Sequence, residues 1–144
     1  MFFDPSETYV HLSAEGSAEA LPGGEPFWSG PPSELERVGT GWLITEFECS
    51  SDWPNWEMHP EGEEFVYLLS GAAVLLLDRA SGLQEIALTG RAAVLVPRGV
   101  WHTAQVSQPS RMLFVTRGQG TQHRPAAVME VQQATPARSM DPLP

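Results

Sequence analysis

Glu57-Met58-His59 and Glu64 crowd into one short span of this 144-residue chain, and His102 closes a second stretch, Pro97-Arg98-Gly99-Val100-Trp101-His102. Imidazole nitrogens and carboxylate oxygens are the donors that hold divalent cations. If the flanks of His59 and Glu64 are strands, a side-chain period of two sends Glu57 and His59 to one face. Beyond the Pro60-Glu61-Gly62 turn, Glu64 shares a face with Val66 and Leu68. Two imidazoles and two carboxylates then converge. Each has a plainer reading: a histidine on an apolar strand is more often a hydrogen-bonded core residue, and Glu64 ends an acidic run in which Glu63 is the alternative.

The spacing is more telling than the residue types. His59, four residues, Glu64, six residues and Gly71, followed by Pro97-x-Gly99-x-x-His102, resembles the paired motifs of the cupin superfamily. The pattern departs from the family's at two positions. Glu57 stands where the first motif usually opens with a second histidine, and Val106 stands where the second usually ends in asparagine. The resemblance runs from about Trp42 to Thr116. It implies an all-β fold, a small antiparallel β-barrel or double-stranded jelly roll, with a metal site inside. It also implies an activity among metal-dependent oxygenases, isomerases and lyases acting on a small organic molecule; a non-catalytic binding or sensing barrel is the alternative. The ligand set it implies is Glu57, His59, Glu64 and His102 around one divalent ion per chain.

Mn, Fe, Ni or Zn suit such oxygen and nitrogen donors, and no cysteine joins the set. Two carboxylates neutralise a divalent ion, which lowers the cost of burying it and makes it a weaker Lewis acid. Glu57 has a second reading as a general base beside a three-ligand ion. No catalytic residue is assigned. Strand parity puts Val66, Leu68, Ala104 and one of Met112 or Phe114 on the cavity wall, and the apolar Val106 points to a substrate less polar than a sugar. Trp101 and Tyr67 have the opposite parity and should face away. Trp42, Trp53, Trp56 and Trp101 are read as core or interface residues in preference to a stacking wall, His123 as a solvated or interface histidine in preference to one capping the barrel mouth, and His11 as a histidine without a role in the site.

The positioning elements are strands. Trp42–Glu48 alternates apolar and polar residues, Phe65–Leu69 and Ala72–Leu77 are apolar runs split by Ser70-Gly71, and Gln84–Leu88, Ala93–Val96, Val100–Val106 and Arg111–Thr116 follow between turn-forming residues. The two apolar runs predict strands covered on both faces, and with the Phe27-Trp28 anchor they predict a homodimer. Residues 1–33 read as an irregular arm with a possible edge strand at Thr8-Tyr9-Val10, 34–118 as the barrel, and 119–144 as an irregular tail.

Eighteen acidic against eight basic residues give a net charge of −10, which opposes nucleic acid and anionic membrane surfaces as partners. Cys49 is the only cysteine, so no internal disulfide forms. Met1-Phe2-Phe3-Asp4-Pro5 has neither a basic leader nor a long apolar run, and a cytoplasmic protein is the expectation.

Overall fold

Alternating burial sets the strands. In Glu64–Ser70 the residues Glu64, Val66 and Leu68 are buried while Phe65, Tyr67 and Leu69 are half-exposed, as one-sided packing requires. The computed structural model describes residues 1–126. Its strands are β1 (Thr8–Leu12), β2 (Ala18–Pro22), β3 (Trp42–Cys49), β4 (Asn55–Met58), β5 (Glu64–Ser70), β6 (Ala72–Arg79), β7 (Gly82–Thr89), β8 (Ala93–Val96), β9 (Trp101–Val106), β10 (Ser110–Thr116) and β11 (Gln122–Pro125). Two short helices, α1 (Glu25–Trp28) and α2 (Pro32–Gly39), lie between β2 and β3.

The strands form two antiparallel sheets, ordered β2-β1-β3-β10-β5-β8 and β11-β4-β9-β6-β7. The expected all-β antiparallel architecture is therefore present as a two-layer jelly roll. The sheets do not close into one hydrogen-bonded barrel, because the edges β2 and β8 pair with neither β11 nor β7. The core lies between the layers: Val66 and Leu68 from β5, Leu75 and Leu77 from β6, Ala104 from β9 and Met112 from β10 are all at most 1% exposed. At ~1.5–3 kcal/mol for each large buried aliphatic side chain, this layer is the main source of stability.

Coverage of both faces holds only in part. Leu76, on the outer face of β6, packs with Trp56 and Ala126, but the outer face of the six-stranded sheet remains half-exposed. There Ala20, Val10, Ile44, Val115, Phe65 and Leu95 stand opposite one another in register, an apolar row crossing all six strands.

The segment read as an irregular arm carries more structure than its composition suggests. The hairpin β1–β2 extends the larger sheet through β1–β3 pairing. Pro26 and Pro32, which read as turn formers, occupy first-turn helix positions where a missing N–H costs nothing. Tyr9, Phe27, Val38 and Leu43 form a second small core that pins both helices to this end of the larger sheet, with the Tyr9 and Phe27 rings edge to face at 5.3 Å. The tail reading begins at 119, yet β11 pairs with β4; the remainder, from 127 onward, lies outside the described residues.

Candidate metal centre

The two motif turns meet at one end of the sandwich. The Gly99 N–H donates to the His59 carbonyl at 3.0 Å, so the turn before β9 is tied to the turn after β4. Gly99 adopts φ +80°, which glycine alone accepts cheaply. Gly71, the last residue of the first motif, has φ +94°, and a Cβ there would stand 2.6 Å from Ser110 Cα. The motif glycines are thus explained by backbone geometry and close approach.

Four side chains converge above these turns. Glu57 on β4 pairs in register with His102 on β9, and Glu64 opens β5. His102 Nε2 lies 3.0 Å from Glu64 Oε1, His59 Nε2 3.5 Å from the same oxygen, and His59 Nε2 3.7 Å from Glu57 Oε1. One donor each from Glu57, His59 and His102 lie within 4.8 Å of one another. Ligands of a divalent ion at about 2.1 Å stand roughly 3.0–3.4 Å apart in octahedral or tetrahedral geometry, so these separations suit a small cation. Glu63, the alternative to Glu64, is exposed and outside the cluster.

The surrounding hydrogen bonds decide which lone pairs are free. Thr121 Oγ1 donates its only proton to the Gly118 carbonyl at 2.7 Å, and therefore accepts from His59 Nδ1–H at 2.8 Å. The lone pair of neutral His59 is left on Nε2, which is buried without a hydrogen-bond partner. His102 Nδ1–H donates to the Val100 carbonyl at 3.1 Å, turning its Nε2 to Glu64. Both imidazoles thus present Nε2 to the carboxylates, with Nδ1 held from behind, the arrangement of a metal-binding histidine pair. Thr116 Oγ1 donates to Glu64 Oε2 at 2.6 Å and fixes that carboxylate.

Burial alone would push the Glu64 carboxyl up, but the neighbouring imidazoles, the hydrogen bond to His102 first among them, outweigh it and hold it at about 2. Burial lowers His102, yet its bond to Glu64 and that carboxylate's charge raise the imidazole above its ordinary value. In the ion-free protein His102 and Glu64 are a buried ion pair. A divalent cation would take the place of the His102 Nε2 proton.

His123 follows the less favoured of its two readings and stands at the cavity mouth. β11 brings it opposite Glu57, with Nε2 3.6 Å from Glu57 Oε2, and the adjacent Glu57 carboxylate raises this imidazole above its ordinary value. Thr121 and Thr116 were missed. His11 is buried elsewhere, 3.9 Å from Glu19. Trp101 and Tyr67 face away as parity predicts: Trp101 lies under the Arg124 guanidinium at 4.2 Å, and the Tyr67 hydroxyl accepts from Arg91 Nε at 2.9 Å.

A cavity of about 900 Å³ opens over the cluster, with Glu57, His59 and Glu64 in its lining. Its walls are not the residues that parity proposed. Phe114 lines it, but Val66, Leu68, Ala104 and Met112 are packed in the core between the sheets, the cluster against which Phe47 and Trp53 rest. The aromatic lining consists of Phe27, Trp28, Phe47, Trp53 and Phe114, with Phe47 and Phe114 stacked at 4.8 Å and 17°. Trp42, Trp56 and Trp101 take no part in it.

No protein-family model matches the chain, and no curated protein matches it. Solved structures do. A cupin superfamily protein from Desulfitobacterium hafniense DCB-2 is 24% identical, with a TM-score of 0.45 over 52% of this chain and 65% of that one. Peruvianin-I, a cysteine peptidase from Thevetia peruviana latex, is 14% identical, with a TM-score of 0.50 over 59% and 56%. Hydroquinone 1,2-dioxygenase from Sphingomonas sp. TTNP3 is 20% identical, with a TM-score of 0.44 over 54% and 60%. These likenesses concern the fold alone. The chain spans less than two thirds of each of these neighbours, and their names cover unlike chemistries, so fold does not carry function across. Among the described residues no helix is long and apolar enough to cross a membrane.

Proposed function

We propose that this cupin-like protein binds one divalent ion through Glu57, His59, Glu64 and His102, and acts as a metal-dependent enzyme on a small, largely apolar organic molecule. The observation that carries the reading is the unpartnered, buried His59 Nε2, aimed at two carboxylates on the floor of an aromatic cavity. Nitrogen and oxygen donors without sulfur suit Mn, Fe, Ni or Zn. Such an ion supplies Lewis acidity toward a carbonyl or, if redox-active, O2 chemistry of the oxygenase type.

The chain's own groups divide the remaining work. Thr121 and the Val100 carbonyl orient the imidazoles, and Thr116 orients Glu64. The Phe47–Phe114 stack and Trp53 exclude water from one side of the cavity. Glu57 is the least buried of the four, at 34% side-chain exposure, and can accept a proton from a bound molecule.

Titrating chelator-treated protein with Co(II), followed by visible absorption, tests the site. One ion per chain is expected, lost in the His59→Ala, His102→Ala double variant. Unchanged binding in that variant overturns the assignment. A homodimer belongs to the same proposal, seated on the apolar row of the six-stranded sheet, because two copies related by a twofold axis would cover Phe65 and Leu95 on both.

A further inference from the structure

Positive charge is distributed unevenly in this protein. Its eight basic residues are all arginine, and seven lie at described positions. Arg37 is held by Glu34 and Glu19, Arg79 by Gln84, Arg91 by Tyr67, Arg111 by Glu46 and Glu48, and Arg124 by Asp78. None of these arginines, nor Arg98 or Arg117, is among the described residues lining the cavity.

The charged groups that do line it are acidic: Glu36, Glu48, Asp52, Glu57 and Glu64. Its two imidazoles each face a carboxylate, His59 toward Glu57 and Glu64, and His123 toward Glu57. Glu48 is balanced by Arg111 at 3.2 Å, and Asp52 accepts the Val106 N–H at 2.7 Å, but Glu36 has no such partner among the described residues. A divalent ion does not reverse the balance, since Glu57 and Glu64 cancel its formal charge. A carboxylate or phosphate entering here would lose its hydration and meet like charge with no guanidinium or ammonium in return.

The shape is equally selective. Phe47 and Phe114 stack with nearly parallel planes, and Trp53 tilts against Phe114 at 5.8 Å, giving an aromatic wall in the cavity that Glu57 and His59 also line. At about 900 Å³ the space accepts a fused two-ring molecule.

We infer that the ligand of this cavity is a flat aromatic molecule carrying no negative charge, and that the site discriminates against carboxylates and phosphates of the same shape. The inference rests on the reading that this cavity is the functional site.

The test uses two probes of one shape, 2-naphthalenemethanol and 2-naphthoate, measured by calorimetry on the full chain, both chelator-treated and Co(II)-loaded. The alcohol should bind at least about tenfold more tightly in both states. Phe47→Ala should weaken the alcohol severalfold, and the exposed Glu36→Arg should narrow the preference by raising naphthoate affinity relative to the alcohol. Equal or tighter binding of naphthoate by the parent protein overturns the charge argument. No binding of either probe at millimolar concentration overturns the aromatic one. Because the preference is read without metal and Co(II) uptake is read by absorption, failure of the metal assignment and failure of this inference give different results.

Discussion

Replacing Thr121 with valine isolates what the hydrogen bond behind His59 contributes. In the parent chain Thr121 Oγ1 accepts from His59 Nδ1–H at 2.8 Å, and the hydroxyl proton is committed to Gly118. Valine keeps the shape and removes the acceptor. Without metal, His59 can answer by moving its proton to Nε2, where Glu57 and Glu64 oxygens lie 3.7 and 3.5 Å away. With metal on Nε2 that escape is closed, and Nδ1–H is left unsatisfied. The cost therefore falls on the bound state. An unsatisfied buried donor costs roughly 1–3 kcal/mol, and 1.4 kcal/mol is about tenfold, so the bounds are about 5- to 150-fold in affinity. Thr121 is only partly buried, which lets water replace some of the bond and places the expectation near tenfold. Competition against a chelator of known affinity measures it, with Thr121→Ser as the control that keeps the hydroxyl. Parent-like affinity in Thr121→Val would refute the reasoning. Equal weakening in both variants would show that the loss in Thr121→Val cannot be assigned to the hydrogen bond alone.

Glu57→His should retain metal because it keeps a donor at that position, whereas Glu57→Ala should weaken binding; equal affinities for all three forms, by the same competition, would remove Glu57 from the ligand set. The ion-free protein and the metal complex should respond oppositely to pH. Glu64, held at about 2, contributes stability that is complete above the ordinary carboxylate value of 4.5 and lost as pH falls through about 2. His102 is raised, so its contribution is complete below 6.5 and lost as pH rises through its higher folded value. Metal uptake must displace that proton, so Co(II) affinity should rise with pH over the interval in which ion-free stability falls, a comparison read by thermal melts and titrations in matched buffers. Phe65→Glu, beside Leu95 in the half-exposed apolar row, should convert a dimer to a monomer in sedimentation at tens of micromolar; a parent protein already monomeric there would end the dimer proposal.

How much of this could be read from the sequence varied with the range of the interaction. β3 was legible from its alternation of apolar and polar residues, and β5, β6, β8, β9 and β10 from short apolar runs bounded by turn formers, with glycine at positive φ at Gly71 and Gly99. β11 was not legible: four residues ending in Pro125 carry too little pattern, and the pairing that holds them sets His123 against Glu57, far back in the chain. The same pairing hid His123 and Thr121 from the site. The cavity wall failed for another reason. Parity correctly put Val66, Leu68, Ala104 and Met112 on the inner face, but it gives a face and not a depth. The inner face runs from the packed core to the open end, and only neighbouring strands determine which residues are capped by aliphatic side chains and which meet Trp53 and Phe47.

The open question about Glu57 takes a definite physical form in this arrangement. Glu64 is clamped, one oxygen by Thr116 at 2.6 Å and the other by His102 at 3.0 Å, and a carboxylate so held is suited to staying ionised in a fixed position. Glu57 has no such clamp. Its oxygens lie 3.7 Å from His59 and 3.6 Å from His123, beyond ordinary hydrogen-bond length, and its side chain is the one most open to the cavity. A loosely held carboxylate between two imidazoles can swing toward an ion as a ligand or toward a bound molecule as a base, and the first motion reduces its availability for the second. If ligation dominates, removing His123 should weaken metal binding by freeing the carboxylate's outer oxygen. If proton transfer dominates, metal affinity should be insensitive to His123, because the oxygen it restrains would lie outside the coordination shell.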